Sequence, residues 1–145
     1  VNGAAAGGGL ALALASDIII ASTKASFVPA FIKIGLSGSE LGVSWRLQRT
    51  MGISKAREFL FTSRPMSAEQ ALENGIVSAV VEPDELIAYG DQLATEMLQA
   101  APDALRVTKR TLDAALEMSD PALLMELEER SQSSFVRRNI RGRAG

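Results

Sequence analysis

The chain opens with the stretch that decides its fold, Val1-Asn2-Gly3-Ala4-Ala5-Ala6-Gly7-Gly8-Gly9-Leu10-Ala11-Leu12-Ala13-Leu14-Ala15-Ser16-Asp17-Ile18. Residues 3–9 predict a turn dominated by backbone, and the Ala/Leu run that follows predicts a short helix from Leu10 to about Ser16. Glycines let a ligand approach the backbone closely, and the amides at a helix start lack partners within the helix and lie at the positive end of its dipole. The stretch therefore predicts either a site for an oxyanion or a turn that only lets a helix and a strand pack.

The same stretch fits neither a nucleotide-binding loop nor a membrane span. The order Gly-x-x-x-Gly-Gly-Gly is neither a dinucleotide-binding fingerprint nor a P-loop, because no Lys-Ser/Thr follows it. The apolar run is not preceded by a basic leader, and Ser16-Asp17 cut it short too early for a membrane span. We therefore expect that the chain begins inside a domain and that a further part of the protein precedes it.

Composition bounds the chemistry. The chain has 145 residues, 47% of them hydrophobic and 22% charged, with a formal net charge of -2. This composition predicts a globular domain with its own core and gives no reason to expect nucleic acid or a membrane as partner. The absence of cysteine and histidine excludes disulfides and thiol catalysis, and it removes the commonest general base and metal ligand. We predict no metal site and expect carboxylates, Lys, Tyr or backbone groups to perform any acid–base chemistry.

The remaining pattern predicts a mixed α/β part over residues 1–82 and an all-α part over residues 83–145. Strands are predicted at 18–21, buried on both faces, at 27–28 and at 76–81, and an irregular loop is predicted over 32–38. Ser67-Ala68-Glu69-Gln70 fits a capping box at the start of a short helix. The other predicted helices cover residues 39–50, 54–61, 84–99, 103–118 and 121–138.

Long apolar stripes run along the C-terminal helices. They include Leu86, Leu93, Met97, Leu105, Leu112 and Leu116. Three helices cannot enclose such stripes by themselves, so the stripes pack either on the first part of the chain or on a partner subunit.

Three segments together resemble the crotonase superfamily, the enoyl-CoA hydratase/isomerase family. Residues 1–18 resemble its V-N-G-x-A-x-G-G-G-x-x-L-A-x-x-C-D-I signature, with Ser16 in place of the cysteine. Residues 27–36, followed by Leu47-Gln48-Arg49, form the second segment. Residues 60–77 are similar to the L-T-G-R-x-x-S-A-x-E-A-x-x-x-G-L-V pattern, and the order and spacing agree over residues 1 to about 118.

The resemblance implies the C-terminal half of an α/β fold, a crotonase-like spiral of ββα repeats followed by helices that mediate trimerisation. It implies a cytoplasmic enzyme that acts on an acyl-CoA thioester and assembles as a homotrimer or a dimer of trimers. No cofactor is implied apart from coenzyme A as part of the substrate.

The resemblance also implies site residues. Gly8 would supply one of two oxyanion-hole amides, each typically worth about 3–4 kcal/mol in acyl chemistry, and the second amide would come from the N-terminal half. Ala6, Gly7, Ala11, Phe31 and Leu36 would contact the substrate. The two glutamates of typical family hydratases fall on Ala11 and Phe31, which cannot transfer a proton, so the sequence argues against an efficient conventional hydratase.

Glu40 is the candidate acid–base residue. In some isomerase-like members an acidic residue stands at a similar place, and a single carboxylate can move a proton from one carbon to another. Burial beside apolar walls would raise the pKa of this carboxyl. The alternative is structural, because an acidic residue in a first helical turn is favoured by the dipole and by capping.

Other residues have mainly structural interpretations. Asp17 is predicted to be a hydrogen-bond partner at a strand start, and Trp45, like Phe31, a core residue or an acyl-pocket wall. Phe135 stands roughly where family members place an aromatic near the adenine end of a neighbouring subunit's site. An arginine-rich tail is predicted to be solvated or, alternatively, to contact CoA phosphates; it contains Arg130, Arg137, Arg138, Arg141 and Arg143.

Three hypotheses for function follow. The first is an acyl-CoA enzyme with isomerase-like proton transfer. The second is a catalytically silent relative that binds acyl-CoA, and the third is a structural oligomer module that binds no acyl-CoA.

Overall fold

The structure, a computed structural model, describes the backbone of residues 1–142 and the side chains of residues 1–136. The chain forms two compact units, Val1–Asp91 and a second that begins at Gln92. The first unit contains every strand in the described part of the chain. The predicted boundary after residue 82 follows the last of these strands and stays a prediction.

Five short strands form two small sheets in the first unit. They are β1 (Ala4–Ala6), β2 (Ile20–Ser22), β3 (Ser26–Val28), β4 (Met66–Ser67) and β5 (Ala79–Val81). In the three-stranded sheet, β3 lies in the middle, parallel to β1 and antiparallel to β4. The second sheet is the parallel pair β2 and β5. Parallel pairs need crossover connections, and helices supply them here.

Seven α-helices and one 3₁₀ helix complete the described part of the chain. The α-helices are α1 (Gly8–Leu14), α2 (Val43–Met51), α3 (Ile53–Thr62), α4 (Ala68–Glu73), α5 (Leu86–Met97), α6 (Pro102–Ala115) and α7 (Pro121–Gly142). The 3₁₀ helix covers Ala30–Ile34. After β5 the described residues form helices and the turns between them, as the sequence predicts.

The predicted capping box at the start of α4 is confirmed. The Ser67 hydroxyl accepts a hydrogen bond from the Gln70 amide at 3.2 Å. In return, Oε1 of Gln70 accepts one from the Ser67 amide at 3.0 Å. Glu69 lies in the same turn, where a hydrogen bond from its own backbone amide and a second from Ser67 hold its pKa below the usual value.

Several sequence predictions are wrong in their bounds. The strand predicted at 76–81 is β5, which begins only at Ala79, and the helix predicted from Leu10 to about Ser16 is α1, which covers Gly8–Leu14. The strand predicted at 18–21 is β2, which begins only at Ile20, and Ile18 is exposed rather than buried. The first three residues of the loop predicted at 32–38 belong instead to the 3₁₀ helix, which ends at Ile34. The helix predicted from residue 39 begins at Val43, because Leu41 and Gly42 have φ of +53° and +77°, which a right-handed helix excludes.

The core of the first unit joins α1 to the central strand and to α2 and α3. Its fully buried members include Leu10, Phe27, Val43 and Leu47. In contrast, none of residues 92–136 is buried, and Leu112 on α6 is 64% exposed. The described residues of the second unit therefore leave much of their apolar stripes uncovered. Within residues 1–142, no helix combines the length and the apolar character that a membrane crossing requires.

Candidate active site

The glycine turn joins β1 to α1. Gly7 has φ +51° and ψ -113°, a combination that is essentially restricted to glycine. Its amide donates a hydrogen bond to the Val28 carbonyl at 3.0 Å, and its carbonyl accepts one from the Ala11 amide at 3.1 Å. The first bond continues the ladder between β1 and β3, and the second begins the helix.

The next two amides are available to a ligand. Gly8 and Gly9 are exposed, and neither amide donates a hydrogen bond to another of the described residues. A Cβ added at either position would meet no heavy atom within 4 Å. Because α1 has only seven residues, an anion here would gain from individual amides rather than from a long helix dipole.

Phe31 lies against the glycine turn from inside the protein. Its ring atoms Cε1 and Cζ lie 3.7 and 3.8 Å from the position that a Cβ on Gly7 would take. Phe31 and Ala11 are 7% and 5% exposed, and both belong to the core. The two positions that resemble those of the hydratase glutamates are thus occupied by packed apolar side chains.

Two further predicted residues flank this region. Ala6 ends β1, where it is paired with Val28 and exposed. The Leu36 amide donates a hydrogen bond to the Phe31 carbonyl at 3.0 Å, while its side chain is exposed. The structure therefore brings Ala6, Gly7, Phe31 and Leu36 together through backbone bonds and one ring contact.

Glu40 lies in the connection between the 3₁₀ helix and α2, and it is exposed rather than buried beside apolar walls. Its carbonyl accepts a hydrogen bond from the Val43 amide at 3.0 Å. Since α2 begins at Val43, Glu40 precedes the first helical turn, and dipole and capping effects do not account for an acidic residue here. No hydrogen bond among the described residues joins Glu40 to the glycine turn.

The same connection carries exposed apolar side chains. They are Leu36 and Leu41, the second of which is 70% exposed although its backbone has φ +53°; Ile34, the last residue of the 3₁₀ helix, is exposed too. Large apolar groups gain free energy when an apolar ligand or another surface covers them. Glu40 therefore shares its connection with two exposed leucines.

Sequence reasoning missed Ser63, which follows α3. Its side chain is fully buried, and its hydroxyl donates a hydrogen bond to the Pro29 carbonyl at 2.6 Å. The sequence signal is that Ser63 stands where the L-T-G-R pattern has glycine; its partner, 34 positions away in the chain, gives no local signal.

The remaining candidates each have their own surroundings. Trp45 is half-buried, with the Arg49 guanidinium 4.1 Å from its ring centroid. Asp17 is exposed, and Phe135 is half-buried. Arg130 pairs with Glu126 at 3.3 Å. Four arginines lie outside the described side chains, namely Arg137, Arg138, Arg141 and Arg143.

Comparison with known proteins reveals extensive similarity. The profile of a family described as enoyl-CoA hydratase/isomerase matches residues 1–143. A probable enoyl-CoA hydratase of Mycobacterium tuberculosis is 42% identical over 137 residues, which are 94% of this chain and 48% of that protein. This chain therefore spans about half the length of the curated relatives it matches.

Two solved structures are informative. A monofunctional enoyl-CoA isomerase from Mycobacterium smegmatis has a TM-score of 0.79 and 41% identity, over 86% of this chain and 58% of that one. A protein assigned as an enoyl-CoA hydratase from Thermobifida fusca, in complex with acetoacetyl-CoA, has a TM-score of 0.89 and 30% identity. That likeness covers 94% of this chain and 52% of the other.

Substitution of two neighbouring glycines should have opposite effects on stability. Gly7→Ala should lower the free energy of unfolding by about 1–3 kcal/mol, because its backbone conformation is strained for any L-residue. Gly9→Ala should raise it by up to about 1 kcal/mol, since alanine favours a helix over glycine and the added methyl meets no atom. Urea unfolding followed by circular dichroism measures both changes. A Gly7→Ala variant as stable as the wild type would contradict the geometry described for Gly7, and a destabilised Gly9→Ala variant would contradict the open space described at Gly9.

Proposed function

We propose that this chain, which belongs to the enoyl-CoA hydratase/isomerase family, is the part of an acyl-CoA enzyme that stabilises a thioester enolate. The observation that carries the proposal is the exposed amide of Gly8, which has no acceptor among the described residues. The substrate class is supported by the acetoacetyl-CoA bound to the similar Thermobifida fusca protein.

The proposed chemistry follows from where negative charge develops. Removal of a proton from the carbon beside the thioester carbonyl places charge on the carbonyl oxygen. The Gly8 amide donates a hydrogen bond to that oxygen, and a second amide from outside this chain completes the oxyanion hole. Each such donor contributes about 3–4 kcal/mol when it is already oriented before the reaction. Because glycine has no Cβ, the thioester can approach the backbone closely at Gly7, Gly8 and Gly9.

The proposed reaction is transfer of a proton between two carbons of the acyl group. Hydration needs groups that position and deprotonate a water, and neither Ala11 nor Phe31 can do this. A carboxylate can take a proton from one carbon and return it to another, without water as reactant and without a cofactor. Glu40 is the proposed carboxylate, and Leu36 and Leu41 are proposed to contact the acyl chain. The likeness to a monofunctional enoyl-CoA isomerase supports this choice.

Binding and turnover together test the proposal. Calorimetric titration of acetoacetyl-CoA into the native full-length protein should show saturable binding, and a 3-enoyl-CoA should be converted to its conjugated isomer, followed by ultraviolet absorbance. Binding without turnover of any enoyl-CoA would instead identify an acyl-CoA-binding protein without catalysis. Absence of binding would leave only a structural role.

Replacement of Glu40 by glutamine should abolish isomerisation and leave acetoacetyl-CoA affinity nearly unchanged, because the amide keeps the shape but cannot accept the proton. Steady-state kinetics and calorimetry measure the two effects. Glu85→Gln is the matched control, since Glu85 is also an exposed glutamate shortly before a helix. Full turnover in Glu40→Gln would remove Glu40 from the mechanism.

We also propose that the protein assembles as a homotrimer or a dimer of trimers through its C-terminal helices. Support comes from α6, on which no residue is buried and Leu112 is exposed, and from Leu116, which follows it and is exposed too. Sedimentation velocity should give the mass of a trimer or hexamer for the native protein, and Leu112→Asp should shift it to smaller species. A monomeric wild-type protein would contradict the proposal.

A further inference from the structure

A buried hydroxyl lies behind the glycine turn. Ser63 is 0% exposed, and its Oγ donates a hydrogen bond to the Pro29 carbonyl at 2.6 Å. The Ser63 backbone has φ +49° and ψ +31°, a left-handed conformation that glycine adopts without steric cost and serine does not. Compared with glycine, serine is disfavoured by this backbone conformation, and the polar group that it adds is the hydroxyl.

Pro29 connects this hydroxyl to the glycine turn through two consecutive carbonyls. The Val28 carbonyl accepts the hydrogen bond from the Gly7 amide at 3.0 Å, and the following carbonyl, that of Pro29, accepts the one from Ser63. The proline ring restricts φ between these two groups, so only ψ of Pro29 is left to change their relative orientation. Ser63 thereby restrains the acceptor that holds Gly7.

A second route passes through Phe31. Pro29 immediately precedes the 3₁₀ helix Ala30–Ile34, and its carbonyl belongs to the peptide group that begins this helix. The Phe31 ring, two residues further on, packs 3.7 Å from the Cβ position of Gly7. Movement of Pro29 would therefore change both the hydrogen bond and the side-chain contact that orient the turn.

We propose that Ser63 is a positioning residue, whose hydroxyl holds the Val28–Phe31 segment so that Gly7 directs the Gly8 amide at the thioester oxygen. This inference rests on the proposed function, since it concerns the orientation of the same amide. Ser63 touches no substrate itself. Small displacements of a preorganised donor reduce turnover more than they reduce ground-state binding.

Two substitutions separate orientation from stability. Ser63→Ala removes the hydroxyl and keeps the strained backbone, whereas Ser63→Gly removes the hydroxyl and relieves the strain. In the native full-length protein, both should lower kcat by roughly tenfold or more with little change in KM. Ser63→Gly should unfold at a higher temperature than Ser63→Ala, but its kcat should stay as low as that of Ser63→Ala. Hydrogen exchange should become faster in the segments that contain Gly8 and Phe31.

Ser22→Ala is the matched control. Ser22 is also fully buried; its hydroxyl donates to a carbonyl, that of Asn2, at 3.0 Å and accepts a hydrogen bond from the Lys24 amide at 3.2 Å. Its loss should lower the melting temperature without the fall in kcat. A kcat that follows melting temperature across the three variants, or a Ser63→Gly variant with wild-type kcat, would overturn the inference. If Ser63→Ala does not fold, Ser63→Gly decides the question alone.

Acetoacetyl-CoA distinguishes failure of this inference from failure of the proposed function. Its enolate absorbs in the ultraviolet, so an oriented oxyanion hole increases that absorbance on binding. If the wild-type protein binds acetoacetyl-CoA without turning over any enoyl-CoA, the enolate absorbance replaces kcat as the measured quantity. The bound Ser63 variants should then give a lower enolate absorbance than the wild type, and an unchanged absorbance overturns the inference. A wild-type protein that does not bind acetoacetyl-CoA overturns the proposed function and the inference together.

Discussion

The hydrogen bond from the Gly7 amide to the Val28 carbonyl is the constraint on which the first unit depends. It adds a further step to the parallel pairing of β1 with β3, and α1 begins immediately after it. Gly7 is only partly exposed, and an amide shielded from water without an acceptor costs about 1–3 kcal/mol, so this bond decides which amide of the glycine run serves the fold. The amides of Gly8 and Gly9 are left on the surface, where a ligand can use them.

The apolar side chains of Ala11 and Phe31, next to this turn, affect both the packing of the core and the chemistry that the site can perform. Ala11 and Phe31 belong to the core that supports α1 and the 3₁₀ helix. An ionised carboxylate at either place would need a partner or solvent to offset its burial. In this chain an aromatic ring packs against the turn instead, and the proposed proton transfer therefore needs a residue outside the core. Glu40, the proposed carboxylate, meets that condition because it is exposed.

The two units differ in how they hide apolar surface. The first has a continuous cluster of buried residues around Phe27 and Leu10, whereas none of residues 92–136 is buried. A helical pair alone covers only one stripe of each helix, so its other apolar groups remain uncovered. The proposed assembly would provide further surfaces on which such groups pack.

The sequence by itself determined the features that depend on local chemistry. The glycine turn, the capping box of Ser67 and Gln70 and the helical character after Val81 all follow from residue types at short spacing, and the family follows from three such segments in the right order. The bounds of β2 and α2 were not predictable, because strand pairing and the positive φ of Leu41 and Gly42 override the apolar pattern. Only the tertiary structure decided that the Gly7 amide binds Val28, that Phe31 packs against Gly7, and that Ser63 holds Pro29. Each of these contacts joins residues more than 20 positions apart, and no local preference of either partner encodes such a meeting.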